Sequence, residues 1–136
     1  MWRSACWALL NETDKAYSEL TLAIQNNFAG NGFDMYSGNP PFQIDANFGI
    51  GGAVLAMLVR DLDTAVDKGV QAVLLGPAIP AAWGGGSVQG LRLRGGGMVD
   101  FEWDEDGVVR SCRARLSGRR GRKVEFFVKG GASIRC

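Results

Sequence analysis

Hydrophobic and polar positions follow two different periods in the two halves of this chain. From Trp2 to Leu10 and from Glu12 to Phe28 apolar residues recur three and four apart, with Tyr17, Leu20 and Ile24 on one stripe. That spacing predicts two helices, since residues so separated share a helix face. Asn11 is a natural N-cap for the second helix, and Asp14 places a carboxylate in its first turn. Asn31-Gly32 ends it. Residues 32–46 read as a loop pinned by Pro40 and Pro41, which cannot continue a helix. Phe48 to Val59 reads as a third helix, with Val54, Leu55, Leu58 and Val59 apolar, running to about Arg60. Asp45 or Asn47 would cap it.

Beyond residue 66 the period changes to two. Val99, Phe101 and Trp103 alternate with Asp100, Glu102 and Asp104, and Cys112, Ala114 and Leu116 alternate with Ser111, Arg113 and Arg115. Val124, Phe126 and Val128 face away from Lys123, Glu125 and Lys129, while Val73-Leu74-Leu75 and Leu91-Arg92-Leu93 supply further strands. Asp104-Glu105-Asp106-Gly107 and Gly118-Arg119-Arg120-Gly121-Arg122 are turn signals. About five to seven short strands with glycine-rich turns predict a small antiparallel sandwich. The fold class is α+β, dividing near residue 66.

Composition removes several chemistries. The chain has 136 residues, a net charge of +1 and no histidine. Ser-His-Asp, Cys-His and His-metal sites are therefore excluded. Residues 1–60 carry a net −2 and residues 61–136 a net +3, a mild shift rather than a nucleic-acid-binding tail. The basic turn at 119–123 lacks interleaved aromatics and reads as solvated. Trp83-Gly84-Gly85-Gly86 lacks the strand–glycine–helix context of a phosphate cradle. No apolar run approaches a membrane span, and no signal peptide is visible after Met1. Cys6 and Cys112 sit in apolar patterns and read as buried free thiols. No metal site and no cofactor are expected.

The chemistry centres on Asn39-Pro40-Pro41-Phe42-Gln43-Ile44-Asp45-Ala46-Asn47-Phe48-Gly49. Gln43, Asp45 and Asn47 alternate with Phe42, Ile44, Ala46 and Phe48, so one side of the stretch is polar. A carboxylate held on a rigid loop beside free helix N–H groups is suited to general-base work. The plainer reading makes Asp45 only a helix cap. Glu12, Asp14 and Glu19 lie on a solvated helix and Asp34 in the loop, with no motif around them. Phe42 reads equally as core or pocket wall. Trp2 and Trp7 read as packing residues before sugar platforms, and Trp83 as a docking residue.

This stretch resembles the Pro-Pro-Phe-Gln-Ile-Asp-(Gly/Ala)-Asn-Phe-Gly motif of the α-L-fucosidases of glycoside hydrolase family 95. Three further segments are similar to that family in the same order: Trp2-Arg3 with Cys6-Trp7-Ala8, Leu75-Gly76-Pro77-Ala78-Ile79-Pro80-Ala81-Ala82-Trp83, and Gly86 to Gly96. Gly38-Asn39 stands where many members carry histidine before the prolines. The resemblance implies the terminal helices of an (α/α) six-hairpin toroid over residues 1–65, with an active-site loop at 32–47, then a C-terminal β domain over 66–136. It implies a fragment of an inverting α-L-fucosidase acting on terminal α-L-fucosyl residues of oligosaccharides or polysaccharides. Asp45 falls on the base side, and Gln43, Asn47 and Phe42 orient it or contact the sugar. The general acid has no counterpart in these residues, so the isolated chain is expected to be inactive without the missing barrel portion. A secreted or extracellular location is implied. The alternative is a noncatalytic carbohydrate-binding or interaction module centred on the β half.

Overall fold

A computed structural model describes residues 1–35, 43–62, 70–94, 96–117 and 123–136. The chain divides into two compact units, Met1–Met57 and Leu58–Cys136.

The first unit holds α1 (Trp2–Leu9), α2 (Thr13–Asn27) and most of α3 (Ile44–Leu58). Helices α1 and α2 form a hairpin whose contact is made mostly of small residues. Ser4 and Ala8 of α1 and Ala16 and Leu20 of α2 are buried. Ser4 Oγ donates to the Ala16 carbonyl at 2.7 Å, so the one polar side chain in this seam is satisfied. Arg3 pairs with Glu19 at 3.4 Å, and Lys15 Nζ lies 4.6 Å from the centre of the Trp7 ring.

Asn11 is not the N-cap of α2. Its φ of 61° is left-handed, its N–H donates to the Ala8 carbonyl, and Glu12 N–H donates to the Trp7 carbonyl. This is the Schellman closure of α1, and asparagine serves because it tolerates the left-handed region. Glu12 precedes α2 instead, without a side-chain cap bond. The third helix also starts earlier than its apolar pattern predicts, at Ile44. Gly49 lets it pass close to the chain start: a Cβ there would lie 2.8 Å from Met1 Cβ. Large apolar side chains of this unit stay open. Trp2 is 75% and Phe48 74% exposed, and Ile44, Leu55, Leu22 and Phe33 are also exposed.

The second unit contains two sheets. β1 (Val59–Leu62), β2 (Val70–Leu75), β6 (Lys123–Val128) and β7 (Ser133–Ile134) form one in the order β1-β2-β6-β7. β3 (Gly86–Arg92), β4 (Met98–Trp103) and β5 (Val109–Arg115) form an antiparallel meander. The pairing is mostly antiparallel, as expected, but β2 and β6 run parallel with Val73 opposite Phe126. The whole meander is the crossover between them. Val59 to Leu62 form a strand rather than the end of a helix. β1 pairs antiparallel with β2, and Gly76 N–H extends that ladder to the Leu58 carbonyl at 2.8 Å.

Val73, Leu75, Ile79, Val99, Phe101, Val109 and Phe126 are buried. β4 shows the predicted alternation, Val99 and Phe101 inward and Glu102 exposed. β2 hides both faces from Ala72 to Leu75, which is why its sequence is continuously apolar. Trp103 Nε1 donates to the Gly84 carbonyl at 2.9 Å, fixing the loop before β3. Cys112 is bonded to Cys136. The expectation of free buried thiols therefore fails: Cys6 is free but exposed, and Cys112 finds a partner that only folding brings near.

Candidate active site

The site is built where α2 ends and α3 begins. After Asn27 the chain makes a tight hairpin. Met35 N–H donates to the Asn27 carbonyl at 2.7 Å, Ala29 N–H to Phe33 at 3.0 Å, and Gly32 N–H to Ala29 at 2.9 Å. Asn31 Oδ1 accepts Phe33 N–H at 3.1 Å, an Asx-type turn that suits the Asn-Gly pair. Phe28 and Asp34 form a bridge across it.

This hairpin is tied to the start of α3. Gln43 N–H donates to the Asp34 carbonyl at 3.2 Å, and the Gln43 carbonyl accepts Ala46 N–H as the helix opens. Asn47 adds two bonds. Its Nδ2 donates to the Gly32 carbonyl at 2.7 Å and its Oδ1 accepts Asp34 N–H at 3.1 Å. Residues 32–34 and 43–47 are thus held together, although residues 35–42 separate them in sequence.

Asp45 lies in the first turn of α3 and is exposed. Neither Asp45 nor Asn47 is the cap that the sequence suggests, because the helix begins before both. Gln43 is exposed beside the same turn, and Asn47 is half-buried. Phe42, with Pro40 and Pro41, lies outside the described residues, as does the basic turn at 118–122.

Asp34 is the residue the pattern undervalues. It is 3% exposed, although its setting in a loop suggests a solvated carboxylate. The signal is local: Asn31-Gly32 forces a reversal that carries the following residues back against α3. Among the described residues no group of three His, Cys, Asp or Glu side chains could hold a metal ion.

The β unit carries a separate polar groove of about 320 Å³ on the meander, with Ser87, Gln89, Glu102, Ser111 and Arg113 along it. Phe101, which also borders the groove, is 2% exposed. No ring at this groove is offered for stacking. Asp104, at the β4–β5 turn, has a carboxyl held below its ordinary value. The main cause is the Val108 backbone N–H, with Arg110 adding to it and partial desolvation opposing it.

Residues 1–58 match the glycosyl hydrolase family 95 catalytic domain, and residues 69–135 match the glycoside hydrolase family 95 C-terminal domain. The chain is 66% identical over 142 residues to a probable alpha-fucosidase A of Aspergillus niger, covering 100% of this chain and 18% of that protein. It is 57% identical over 121 residues to a probable alpha-fucosidase A of Aspergillus oryzae, covering 84% of this chain and 17% of the relative. An alpha-L-fucosidase 2 of Arabidopsis thaliana is 39% identical over 117 residues, covering 79% of this chain and 13% of the relative. The chain thus spans less than a fifth of the length of these relatives. It belongs to glycoside hydrolase family 95, carrying a stretch of the family's catalytic domain followed by its C-terminal domain.

Proposed function

We propose that this chain is part of an inverting α-L-fucosidase that hydrolyses terminal α-L-fucosyl residues of glycans, with Asp45 on the base side of the reaction. The observation that carries this reading is the placement of Asp45. It is exposed on the first turn of α3, and that turn is anchored through Gln43 and Asn47 to the 32–34 hairpin. Inversion requires a base that activates water on one face of the sugar while a general acid protonates the leaving oxygen on the other. An exposed carboxylate on a fixed helix end can take a proton from water without the turn having to reorganise. Gln43 is near enough in the chain to orient water or a sugar hydroxyl. Asn47 acts through its backbone bonds and is a positioning residue.

The remaining parts of the site belong to the rest of the longer protein, general acid included. The open apolar side chains of the helical unit, Trp2 and Phe48 foremost, support this reading. In it they pack against further helices of an (α/α) six-hairpin toroid, of which α1 to α3 are the last. The β unit is the C-terminal domain. Its polar groove, with no ring to stack on a sugar, favours the catalytic reading over an independent carbohydrate-binding module.

The test is a segment exchange. Residues 1–136 replace the matching segment of a complete relative, and fucoside hydrolysis is followed by NMR of the first-formed anomer. Expected are a folded hybrid that releases β-L-fucose and an isolated 136-residue chain with no hydrolysis. A folded but inactive hybrid, retention of configuration, or turnover by the isolated chain would each contradict the proposal.

A further inference from the structure

The two sheets of the β unit have neighbouring outer strands. β5 is the edge of the meander and β7 the edge of the other sheet. A groove of about 610 Å³ lies at this edge, bordered by Ala114 of β5 and Leu116 just beyond it, Val124 and Phe126 of β6, and Ile134 and Cys136. β7 has little to hold it there. It pairs with β6 through only two residues, Ser133 opposite Phe127 and Ile134 opposite Phe126. The turn leading into it contains Gly130 and Gly131, both at positive φ, which are costly to order on folding. A two-residue edge strand after a glycine turn frays unless something else ties it down. What ties it down is covalent: Cys136, two residues past β7, is bonded to Cys112 in the middle of β5, 24 positions earlier.

We infer that Cys112–Cys136 is a redox-dependent staple that closes the β5–β7 edge, and that this chain reaches its stable form in an oxidising compartment. The bond forms by exchange with a protein or glutathione disulfide. One thiolate attacks the oxidant, forming a mixed disulfide and releasing one oxidant thiolate. The second thiolate then attacks the protein's own sulfur in that bond, closing Cys112–Cys136 and releasing the other oxidant thiolate. Two electrons pass to the oxidant, and the two protons lost by the cysteines are taken up by its thiolates. Such a bridge is a device of secreted rather than cytosolic proteins. Closing a loop of this length shifts the folding equilibrium by about 10²- to 10³-fold. Cys6, exposed on α1, takes no part. This inference stands apart from the fucosidase reading, since both cysteines belong to the Leu58–Cys136 unit and Asp45 to the other.

The test uses the 136-residue chain made under oxidising conditions. Alkylation without reductant, followed by digestion and mass spectrometry, is expected to label Cys6 and to recover Cys112 and Cys136 as one linked peptide pair. Hydrogen exchange of the peptide covering 123–136 is then compared before and after tris(2-carboxyethyl)phosphine. Exchange across β6–β7 should rise at least about 10-fold on reduction, equally in the wild type and in Cys6→Ser. The double variant Cys112→Ser/Cys136→Ser should exchange at the reduced rate with or without reductant. Labelling of Cys112 or Cys136 before reduction, or exchange that reduction leaves unchanged, overturns the proposal. Both results come from the unmutated chain and do not depend on the variants folding.

Discussion

The carboxamide of Asn47 grips the backbone on both sides of Phe33, donating to the Gly32 carbonyl at 2.7 Å and accepting the Asp34 N–H at 3.1 Å. Only an amide can do both at once: a carboxylate lacks the donor, and alanine lacks everything. Asn47→Asp should therefore be as damaging locally as Asn47→Ala, because it sets a negative charge against a carbonyl oxygen. Each is expected to cost about 1–3 kcal/mol at the hairpin. Hydrogen exchange of the Asp34 amide checks this. Equal protection in wild type and both variants would show that the hairpin holds without Asn47.

Two glycines of the β unit share a left-handed φ but differ in surroundings, which separates conformational from steric cost. Gly107 has φ +76°, and a Cβ there would lie 2.4 Å from the Ile79 carbonyl oxygen, a backbone atom that cannot swing away. Gly90 has φ +72° with nothing within 4 Å. Gly90→Ala should cost about 1–2 kcal/mol, the left-handed penalty alone. Gly107→Ala should cost distinctly more, because the turn must also move off Ile79. Urea unfolding of the two variants side by side is the measurement. Equal midpoints would mean that the 76–80 loop yields freely.

The β4–β5 turn should respond to acid through Asp104. Its Oδ1 accepts Val108 N–H at 2.9 Å and Asp106 N–H at 3.1 Å, and its Oδ2 meets Arg110 Nε at 2.6 Å. These partners favour the ionised form, so the folded-state value lies below the ordinary 3.8. A carboxyl lowered by folding contributes stability that is fully present above its unfolded value. That contribution is lost as pH falls through the folded value. Chemical shifts of the Val108 amide should hold steady down to about pH 4 and then move. Asp104→Asn, which keeps an acceptor at Oδ1 but loses the charge, should abolish that transition. An unchanged titration in the variant would place the responsible group elsewhere.

The strands were readable because alternation reports burial directly. Val99 and Phe101 are inward, as their spacing says, and Cys112 and Ala114 are more buried than the flanking Ser111 and Arg113. What alternation cannot report is pairing partner or direction. The parallel β2–β6 contact joins residues about fifty positions apart, and the four residues of β1 carry no period long enough to oppose a helical reading. The same limit applies to cysteine: Cys112 looks like a core thiol until the fold delivers Cys136 to it. At the candidate site the motif singles out Asp45, Gln43 and Asn47, and two of these, Gln43 and Asn47, bond to the 32–34 hairpin. The sequence pattern puts the helix start late, at Phe48 rather than Ile44, because Gln43, Asp45 and Asn47 alternate with Phe42, Ile44 and Ala46, a period of two that reads as extended chain. Asn11 shows a further ambiguity. Asparagine suits both an N-cap and a left-handed C-terminal position, and only the hydrogen bonds to Ala8 and Trp7 decide between them.

The catalytic assignment turns on separating charge from fold at one position, and Asp45→Asn does that within a complete relative carrying this segment. Asparagine has nearly the shape of aspartate and fits an exposed first turn, so the folded state should lose only the charge–dipole interaction, about 0.3–1 kcal/mol. Thermal unfolding should therefore shift by no more than a few degrees. Asparagine cannot accept a proton from water, so if Asp45 is the base, turnover should fall by about 10² to 10⁴-fold. Because the loss is in the chemical step, it should fall on kcat with little change in KM. Gln43→Ala should cost less, since it removes an orienting contact and leaves the proton acceptor in place. A fall of less than about tenfold in the folded Asp45→Asn variant would reduce Asp45 to a first-turn carboxylate that steadies α3. The buried Asp34, bonded through its backbone to both Gln43 and Asn47, would then be the carboxylate to test next.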